Sequence, residues 1–325
     1  MKCVRLSETE LRRQITGLMR DFDVVAPAYV DGVKDYVLLT DADELALDDE
    51  LPYKSPKDAV FPRTEKMFTI DENGVVRQPE AVKRTLLFAA PPCDVAALRI
   101  LDAVFTGGKA RFKDAYYDKR RSSLVTVGKA CDSKKRGCFC DERGIDREYA
   151  QDCDAFIKKT GDGWLMQAQT AEGEALFNGE PAEPMKTGSV QEVTLELKTD
   201  ENALFDAIDW GLFTTTCQGC GVCTFVCPTC HCFELRDSME NGAMTRSRVW
   251  DSCMFPRFTL HASGHNPRAG RPERFRQRVL HKFVYMRENF GVTACVGCGR
   301  CIRECPGGVS IKKAVMALKE SEVCR

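Results

Sequence analysis

The sequence predicts a mixed α+β fold in two parts, an α/β domain over residues 1–200 and a mainly helical domain over residues 201–325. Short apolar runs bounded by turn residues alternate with helical patterns in the first part. In the second part the apolar residues take helical spacing. Most of the 18 cysteines also fall in the second part, so the two parts differ in chemistry as well as in pattern.

The first part should open with a helix, because Ser7-x-x-Glu10 is a capping box in front of an apolar face. Asp94 is expected to cap a second helix that runs to about Phe105. Gly179–Gly188, which contains two prolines, is the most linker-like segment. The strand candidates are Val24–Val30, Tyr36–Thr40, Thr85–Ala90, Leu124–Val127, Ala155–Lys158 and Trp164–Gln167.

Two pairs of these strands are expected to form hairpins. Asp31-Gly32 joins the first pair, and Thr160-Gly161-Asp162-Gly163 joins the last pair. The second part reads instead as helices around loops. Its helical patterns are Ala203–Phe213, Phe233–Met239, Val279–Asn289 and Ser310–Glu320.

Two copies of one cysteine pattern lie in those loops, and both read C-x2-C-x2-C-x3-C-P. This is the spacing of the iron–sulfur run of bacterial two-cluster ferredoxins, in which the fourth cysteine binds the other cluster. The first [4Fe–4S] cluster is therefore assigned to Cys217, Cys220, Cys223 and Cys305. The second is assigned to Cys295, Cys298, Cys301 and Cys227.

Zinc is the main alternative to iron as the metal that these thiols bind, since structural zinc sites use paired C-x2-C knuckles. Zinc explains poorly three cysteines at successive x2 spacing that are followed by x3-C-P and then repeated. Disulfides would need a secreted context. The N-terminus shows no apolar signal core, which favours a reducing cytoplasm, where clustered cysteines read as metal ligands.

Net charge and hydropathy give no support for nucleic-acid binding or for a membrane span. The net charge of −1 gives no argument for nucleic-acid binding. No stretch approaches the roughly 20 apolar residues that a membrane span needs.

A long insertion, residues 233–294, separates the two cysteine runs. A compact ferredoxin hairpin core is therefore not expected, and the helical flanks favour an α-helical ferredoxin-type dicluster domain. The insertion is rich in arginine, which fits a docking face for an acidic partner, a shell that compensates anionic clusters, or a solvated helix face. The arginines are Arg246, Arg248, Arg257, Arg268, Arg271, Arg274, Arg276, Arg278 and Arg287.

Beyond the two cysteine runs, a further group of cysteines, which we call the third cysteine set, lies in the first part. Cys93 follows one predicted strand, Cys131 follows another, and Cys138 and Cys140 come just beyond. Turns after neighbouring strands often meet at one end of an α/β sheet, so these four thiols are candidates for a third iron–sulfur cluster, most simply [4Fe–4S]. Cys153 is a possible substitute ligand, and small buried thiols or a zinc site are the alternatives.

The remaining cysteines and histidines receive lesser roles. Cys230 and Cys232 are expected just outside the cluster ligands, and Cys3 and Cys324 are expected to be free thiols. Trp250–Cys253 and His281-Lys282 are expected to pack against the clusters. A structural role, rather than a ligand role, is favoured for three histidines: His261, His265 and His281.

No nucleotide-binding or hydrolytic motif is present, and no C-x-x-C-H haem site. The chain therefore reads as an electron-transfer subunit whose donor and acceptor lie on other chains. The alternative is a stand-alone iron–sulfur reductase with a substrate site at the third cluster.

The residues that carry a family resemblance cover most of the chain. They are Cys217–Thr224, Cys227–Cys230, Trp250–Cys253, His281-Lys282, Cys295–Cys301, Cys93-Asp94-x3-Leu98, Arg120-Arg121 and Cys138–Cys140. These stretches resemble the corresponding stretches of an iron–sulfur subunit family. It comprises the β subunit of cytoplasmic sulfhydrogenases, the A subunit of anaerobic sulfite reductase, and subunits of flavin oxidoreductases that serve heterodisulfide-reductase-like complexes.

The resemblance implies an anaerobic multi-subunit oxidoreductase in which this chain relays single electrons. A ferredoxin-reductase-like partner that binds FAD and NAD(P)H would stand on one side. A terminal subunit of hydrogenase, sulfite reductase or heterodisulfide-reductase type would stand on the other.

Overall fold

The computed structural model describes residues 2–79, 83–107, 112–161, 163–185, 197, 201–240 and 242–321. The strands are β1 (Cys3–Ser7), β2 (Asp23–Val30), β3 (Val33–Leu38), β4 (Thr64–Ile70), β5 (Val76–Arg77), β6 (Thr85–Ala90), β7 (Leu124–Lys129), β8 (Ala155–Thr160), β9 (Gly163–Ala168), β10 (Glu180–Pro181), β11 (Phe233–Glu240) and β12 (Ala243–Trp250). The predicted free thiol Cys324 lies outside the described residues.

The helices alternate with these strands along the chain. They are α1 (Glu8–Leu18), α2 (Pro92–Phe105), α3 (Ala115–Ser122), α4 (Ala171–Leu176), α5 (Glu201–Phe205), α6 (Val222–Phe225), α7 (Arg271–Leu280), α8 (Met286–Phe290), α9 (Arg300–Arg303) and α10 (Ile311–Glu320). A π-helical turn, His281–Tyr285, joins α7 to α8. None of the described helices is long and apolar enough to span a bilayer.

An eight-stranded sheet forms the body of the first part, in the order β10-β1-β9-β8-β7-β6-β2-β3. Its four central strands β2, β6, β7 and β8 are parallel, and the strands outside them pair antiparallel. The parallel strands are almost continuously apolar because both faces of the sheet are covered. The mixed α and β content predicted from the sequence is confirmed.

Most predicted elements of the first part are present with small shifts at their ends. Helix α1 begins at the predicted capping box, where Ser7 Oγ accepts from the Glu10 backbone N–H and the Glu10 carboxylate accepts from the Ser7 N–H. The β2–β3 hairpin turns at Asp31-Gly32, both with positive φ. In the last hairpin, Asp162 lies outside the described residues.

Two local expectations are wrong. Asp94 does not cap α2, whose N-cap is Pro91, because the Asp94 carboxylate instead forms a buried ion pair with Arg300. Residues 180–181 of the linker-like segment form the edge strand β10, which pairs with β1. Residues 186–188 of that segment lie outside the described part of the chain.

A second sheet, in the order β11-β12-β4-β5, corrects the prediction of a helix over Phe233–Met239. That segment is strand β11, paired residue by residue with β12. Strand β12 buries Thr245, Arg248 and Trp250 and pairs on its other side with β4. This long-range pairing overrides local helix propensity, and it joins strands from both sides of residue 200 in one sheet.

The rest of the second part consists of short helices and turns around the two cysteine runs, and the predicted helix Ala203–Phe213 is helical only up to Phe205, the end of α5. Helices α7 and α10 share an apolar core with the π-helical turn, built on Phe275, Val279, Phe283, Val315 and Leu318. Cysteines of both runs pack against this core. The core therefore positions the two loops next to each other.

Candidate iron–sulfur centres

Each cysteine run is a tight loop that ends in a single helical turn, α6 in the first run and α9 in the second. The four glycines between the cysteines have positive φ, between +65° and +77°. Residues with a side chain rarely adopt this conformation. Glycine therefore allows these loops to turn tightly at Gly219, Gly221, Gly297 and Gly299.

The first loop bounds a cavity with the end of the second run. The cavity is lined by Cys217, Cys220 and Cys223 and, from the other run, Cys305. Met254, Phe275 and Val309 supply apolar walls. These four thiols are the set that the sequence assigned to the first cluster.

The second loop bounds a second cavity in the same crosswise manner. Its lining includes Cys295, Cys298 and Cys301 together with Cys227 of the first run. Cys301 also lines the first cavity. The two cavities therefore adjoin, and each brings together the four thiols expected for one cluster.

Arg278 of α7 is the basic residue that lines both cavities. It is 3% exposed, donates to the Cys223 carbonyl at 3.0 Å, and has a buried Nε with no hydrogen-bond partner among the described residues. Burial lowers the pKa of Arg278, but the Cys223 and Cys301 thiolates outweigh it and the net shift is upward. A buried cation that has no carboxylate partner among the described residues and lies between two sets of thiols fits a pair of anionic iron–sulfur clusters.

Lys282 supplies a second buried cation beside the second cavity. Its ammonium donates to Thr229 Oγ1 at 2.7 Å and to the Ala294 carbonyl at 2.9 Å. Burial lowers the pKa of Lys282, but the Cys227 and Cys230 thiolates more than offset it, so the pKa is raised. The prediction that Lys282 packs against the clusters agrees with this placement.

The Cys227 sulfur lies 3.4 Å from Thr229 Oγ1. Interaction between the Cys227 and Cys230 thiols lowers the pKa of Cys227 and raises the pKa of Cys230. Cys230 therefore lies next to a predicted ligand, where interactions with a ligand sulfur would tune the potential of a cluster.

The segment that carries Cys138 and Cys140 rests directly on the second loop. Cys138 Sγ donates to the Cys298 carbonyl at 3.1 Å, and Arg143 Nε donates to the Cys295 carbonyl at 3.0 Å. The backbone N–H of Phe139 donates to the Gly297 carbonyl at 2.8 Å.

Glycine permits this close approach. A Cβ on Gly297 would lie 2.6 Å from the Phe139 backbone. A Cβ on Gly299 would lie 2.5 Å from the backbone of Gly137. Side chains at these positions would push the two segments apart.

The third cysteine set gathers at the carboxyl ends of β6 and β7, which are parallel neighbours. Cys93 and Cys140 share a buried apolar cluster with Cys298 of the second loop. Cys131 and Cys138 are half-buried, and electrostatic coupling links both to Cys140. Cys153 packs in a different apolar cluster and is not grouped with these four thiols.

A buried ion pair fastens this region to the second loop. Arg300, next to Cys301, donates to both carboxylate oxygens of Asp94 at 2.6 and 2.7 Å, and both side chains are fully buried. Arg300 also donates to the Pro52 carbonyl at 3.0 Å. Sequence reasoning missed this pair because its members are 206 positions apart.

The arginines of the insertion do not share one role. Arg248 is buried and pairs with Glu65 and Asp114, whereas Arg246 pairs with Asp237 at the surface. Only Arg278 of the nine lines a cluster cavity within the described residues. Lys57, from the first part of the chain, gave no sequence signal, yet its ammonium reaches the Cys230 carbonyl at 2.9 Å.

Comparison with known proteins agrees with this geometry. A 4Fe–4S dicluster domain model matches residues 216–309. The sulfhydrogenase 2 subunit beta of Pyrococcus furiosus is 32% identical over 298 residues, which cover 86% of each chain. No solved structure matches.

The paired thiol cavities and the dicluster match together assign an iron–sulfur electron-transfer role. The match to this relative extends over 86% of the chain, so it includes residues of both parts. The chain belongs to the family of iron–sulfur subunits that includes the sulfhydrogenase β subunit.

Proposed function

We propose that the chain is an electron-relay subunit with three [4Fe–4S] centres in a row. When bound, each cluster supplies reversible one-electron transfer at thiolate-ligated iron. The observation that carries the proposal is the crosswise meeting of the two cysteine runs in two adjoining cavities. The ligand sets are Cys217, Cys220, Cys223 and Cys305; Cys295, Cys298, Cys301 and Cys227; and Cys93, Cys131, Cys138 and Cys140.

The order of the centres follows from which segments touch. Cys301 and Arg278 line the first and second cavities together. The Cys138 thiol touches the second loop at the Cys298 carbonyl. The second cluster therefore stands between the first cluster and the third cysteine set.

The two ends of this row reach the surface. Cys220 of the first set is exposed. Cys131 of the third set is half-buried beside Asp49 and Lys135. Partners can therefore exchange electrons at either end, while Cys227 and Cys298 of the middle set are buried.

Those partners are inferred to be a FAD- and NAD(P)H-binding subunit of ferredoxin-reductase type and a terminal redox subunit of hydrogenase, sulfite reductase or heterodisulfide-reductase type. The relative's name makes it one subunit of a sulfhydrogenase. A helical dicluster module in a cytoplasmic, anaerobic complex is the corresponding setting. The chain itself supplies thiolate ligands, buried cations and a water-excluding core.

The test is metal and sulfide analysis of anaerobically purified protein, with low-temperature EPR after reduction. The proposal predicts iron and acid-labile sulfide in equal amounts and signals of reduced [4Fe–4S] clusters. Zinc in place of iron, with no signal after reduction, would contradict it.

A further inference from the structure

The segment between β12 and α7 carries positive charge and no negative charge. From residue 252 to residue 272 the sequence contains no aspartate or glutamate. We call residues 256–271, which end on the first residue of α7, the basic loop. Its basic side chains are Arg257, His261, His265, Arg268 and Arg271.

We propose that the basic loop is the docking surface for an acidic electron-transfer protein, which exchanges electrons with the relay at its first cluster. This inference rests on the proposed relay, because the docked protein needs a cluster with which to exchange electrons. It assigns a kind of partner, one with a negatively charged surface, to one end of the relay.

Both ends of the basic loop adjoin the wall of the first cavity. Met254, two residues before the loop, and Phe275, in α7, line this cavity together with the cysteines of the first set. The Phe255 ring packs against Gly221 of the first cysteine loop, where a Cβ would lie 2.7 Å from the ring. The basic loop therefore begins and ends beside the first cluster.

Hydrogen bonds within the basic loop give it a defined shape. The Asn266 side-chain oxygen accepts from Thr259 Oγ1 at 2.8 Å and from the Arg268 backbone N–H at 3.0 Å. The Asn266 side-chain amide donates to the Pro256 carbonyl at 2.6 Å. A surface that is already ordered loses less conformational entropy on binding than one that must first become ordered.

A buried arginine holds the end of the basic loop that leads into α7. Arg274 is 5% exposed, and its guanidinium donates to the Arg268 and Ala269 carbonyls at 3.1 and 2.5 Å. The first carboxylate after the loop belongs to Glu273, whose Oε2 is buried beside Gly270. This oxygen is therefore not available to pair with an arginine at the surface of the loop.

The arginines of the basic loop have no counter-charge. Arg257 and Arg271 are exposed and Arg268 is half-buried, and none of them forms an ion pair within the described part of the chain. Arg246 of β12 differs, because it pairs with Asp237 of the neighbouring strand. Exposed arginines without a neighbouring carboxylate give a surface a positive potential.

An exposed apolar side chain lies among these charges. Leu260 is 50% exposed and directly precedes His261. Phe258, two residues earlier, packs instead against the core that also contacts Cys217 and Cys223. Protein interfaces combine an apolar centre with a polar rim. Leu260 with the surrounding basic side chains has this composition and fits a partner whose rim is acidic.

The position of the basic loop connects docking with electron transfer. Cys220, a proposed ligand of the first cluster, is exposed and directly precedes Gly221, on which the Phe255 ring packs. A docked protein would therefore lie next to this ligand. One electron leaves the redox centre of the docked protein and enters the relay at the first cluster, and no covalent bond forms or breaks.

The experiment measures electron transfer by anaerobic stopped-flow spectroscopy, with a reduced and strongly acidic [4Fe–4S] ferredoxin as the probe. The double variant Arg257→Glu/Arg271→Glu should lower the second-order rate constant at low salt by about tenfold or more, because it removes the electrostatic attraction. The control Arg13→Glu/Arg20→Glu makes the same change of charge at exposed positions of another part of the chain, on α1 and just after it. It should change the rate by no more than about twofold.

Salt dependence gives a second readout. Raising the ionic strength should slow transfer from the ferredoxin to the wild type, and should have a much smaller effect on Arg257→Glu/Arg271→Glu. Equal rate constants in the two double variants would overturn the docking surface. Transfer to the wild type that is insensitive to salt would overturn it as well.

A small reductant separates docking from damage to the clusters. Reduced methyl viologen, a cation that needs no docking surface, should reduce Arg257→Glu/Arg271→Glu at least as fast as the wild type. Slow reduction of this variant by both reductants would show that the arginines support the clusters themselves, and would overturn the docking role. Wild-type protein without any iron–sulfur EPR signal would refute the relay itself.

Discussion

Arg278 is the cation that both cluster cavities share. The walls of these two cavities carry eight thiols in two sets, and the Arg278 Nε is left without a partner among the described residues. A positive charge so placed stabilises the reduced, more negative form of each cluster. The residue therefore couples the electrostatics of the two centres.

Replacing this charge gives the first prediction. Arg278→Gln should lower the reduction potentials of the first and second clusters, on the order of tens of millivolts, because added electrons lose a stabilising charge. Arg276→Gln is the matched control on the same helix, since Arg276 pairs with Asp206 and lines neither cavity. Potentiometric EPR titration measures the shift, and equal potentials in the two variants would contradict the assigned role.

The Asp94–Arg300 ion pair gives a prediction about stability. Asp94→Asn leaves the Arg300 guanidinium buried without its counter-charge, which typically costs about 3–5 kcal/mol. Asp152→Asn is the control, because its pair with Arg99 is exposed and should contribute no more than about 1 kcal/mol. Anaerobic urea unfolding measures both, and similar midpoints would show that the buried pair adds nothing.

At the scale of elements, the second cysteine loop lies against the segment that carries Cys138 and Cys140. The contact is a backbone-to-backbone approach at Gly297 and Gly299. Three hydrogen bonds from Cys138, Phe139 and Arg143 reinforce it. This contact is what places the third cysteine set beside the second cluster.

The third prediction concerns a substitution that would fill the space between these two segments. Gly297→Ala adds a Cβ 2.6 Å from the Phe139 backbone and should cost the protein bound iron as well as stability. Gly264→Ala has a similar positive φ but open space, so it should cost only the backbone strain, about 1–2 kcal/mol. Iron analysis and thermal unfolding compare the two, and full iron content in Gly297→Ala would refute the close packing.

Local pattern accounts for the elements that could be predicted. The capping box at Ser7, the apolar strand Thr85–Ala90 and the final helix that ends at Glu320 are confirmed because short-range signals determine them. Strand β11 was missed although a local signal was present, because Glu240 pairs with Ala243 and the sequence between them, Asn241-Gly242, is typical of a hairpin turn. Only the pairing of β12 with β4, more than 160 residues away, lies beyond local pattern.

The residues of the candidate site likewise fall into those that the sequence predicted and those that only the fold reveals. The spacing of the two cysteine runs sufficed to propose which thiols meet, and the structure brings those thiols together. Of the buried cations, the sequence singled out Lys282 and Arg278 but neither Lys57 nor Arg300. Lys57 is 173 positions from Cys230 and Arg300 is 206 positions from Asp94, so only the tertiary fold reveals them.

At the scale of the whole molecule, the large sheet and the helical part meet at the third cysteine set. The ends of β6 and β7 present Cys93 and Cys131 toward the segment that contacts the second loop. The second sheet joins the same two parts through β4 and β12. The fold therefore extends the row of proposed centres into the α/β sheet.

The fourth prediction tests that extension. Cys93→Ser should lower the iron content from about 12 to about 8 atoms per chain, because one [4Fe–4S] cluster of three is lost. Cys153→Ser should keep the wild-type content, since Cys153 packs elsewhere. Iron and sulfide analysis decides the matter, and an unchanged content in Cys93→Ser would remove the third centre.

The central claim is that the two crosswise cavities hold neighbouring clusters that pass electrons to each other. The most direct measurement is a stepwise reductive titration of the anaerobic protein with titanium(III) citrate, followed by low-temperature EPR. The account predicts simple signals at partial reduction and, at full reduction, a spectrum broadened and split by interaction between adjacent reduced clusters. Signals that remain simple and additive up to full reduction would contradict it.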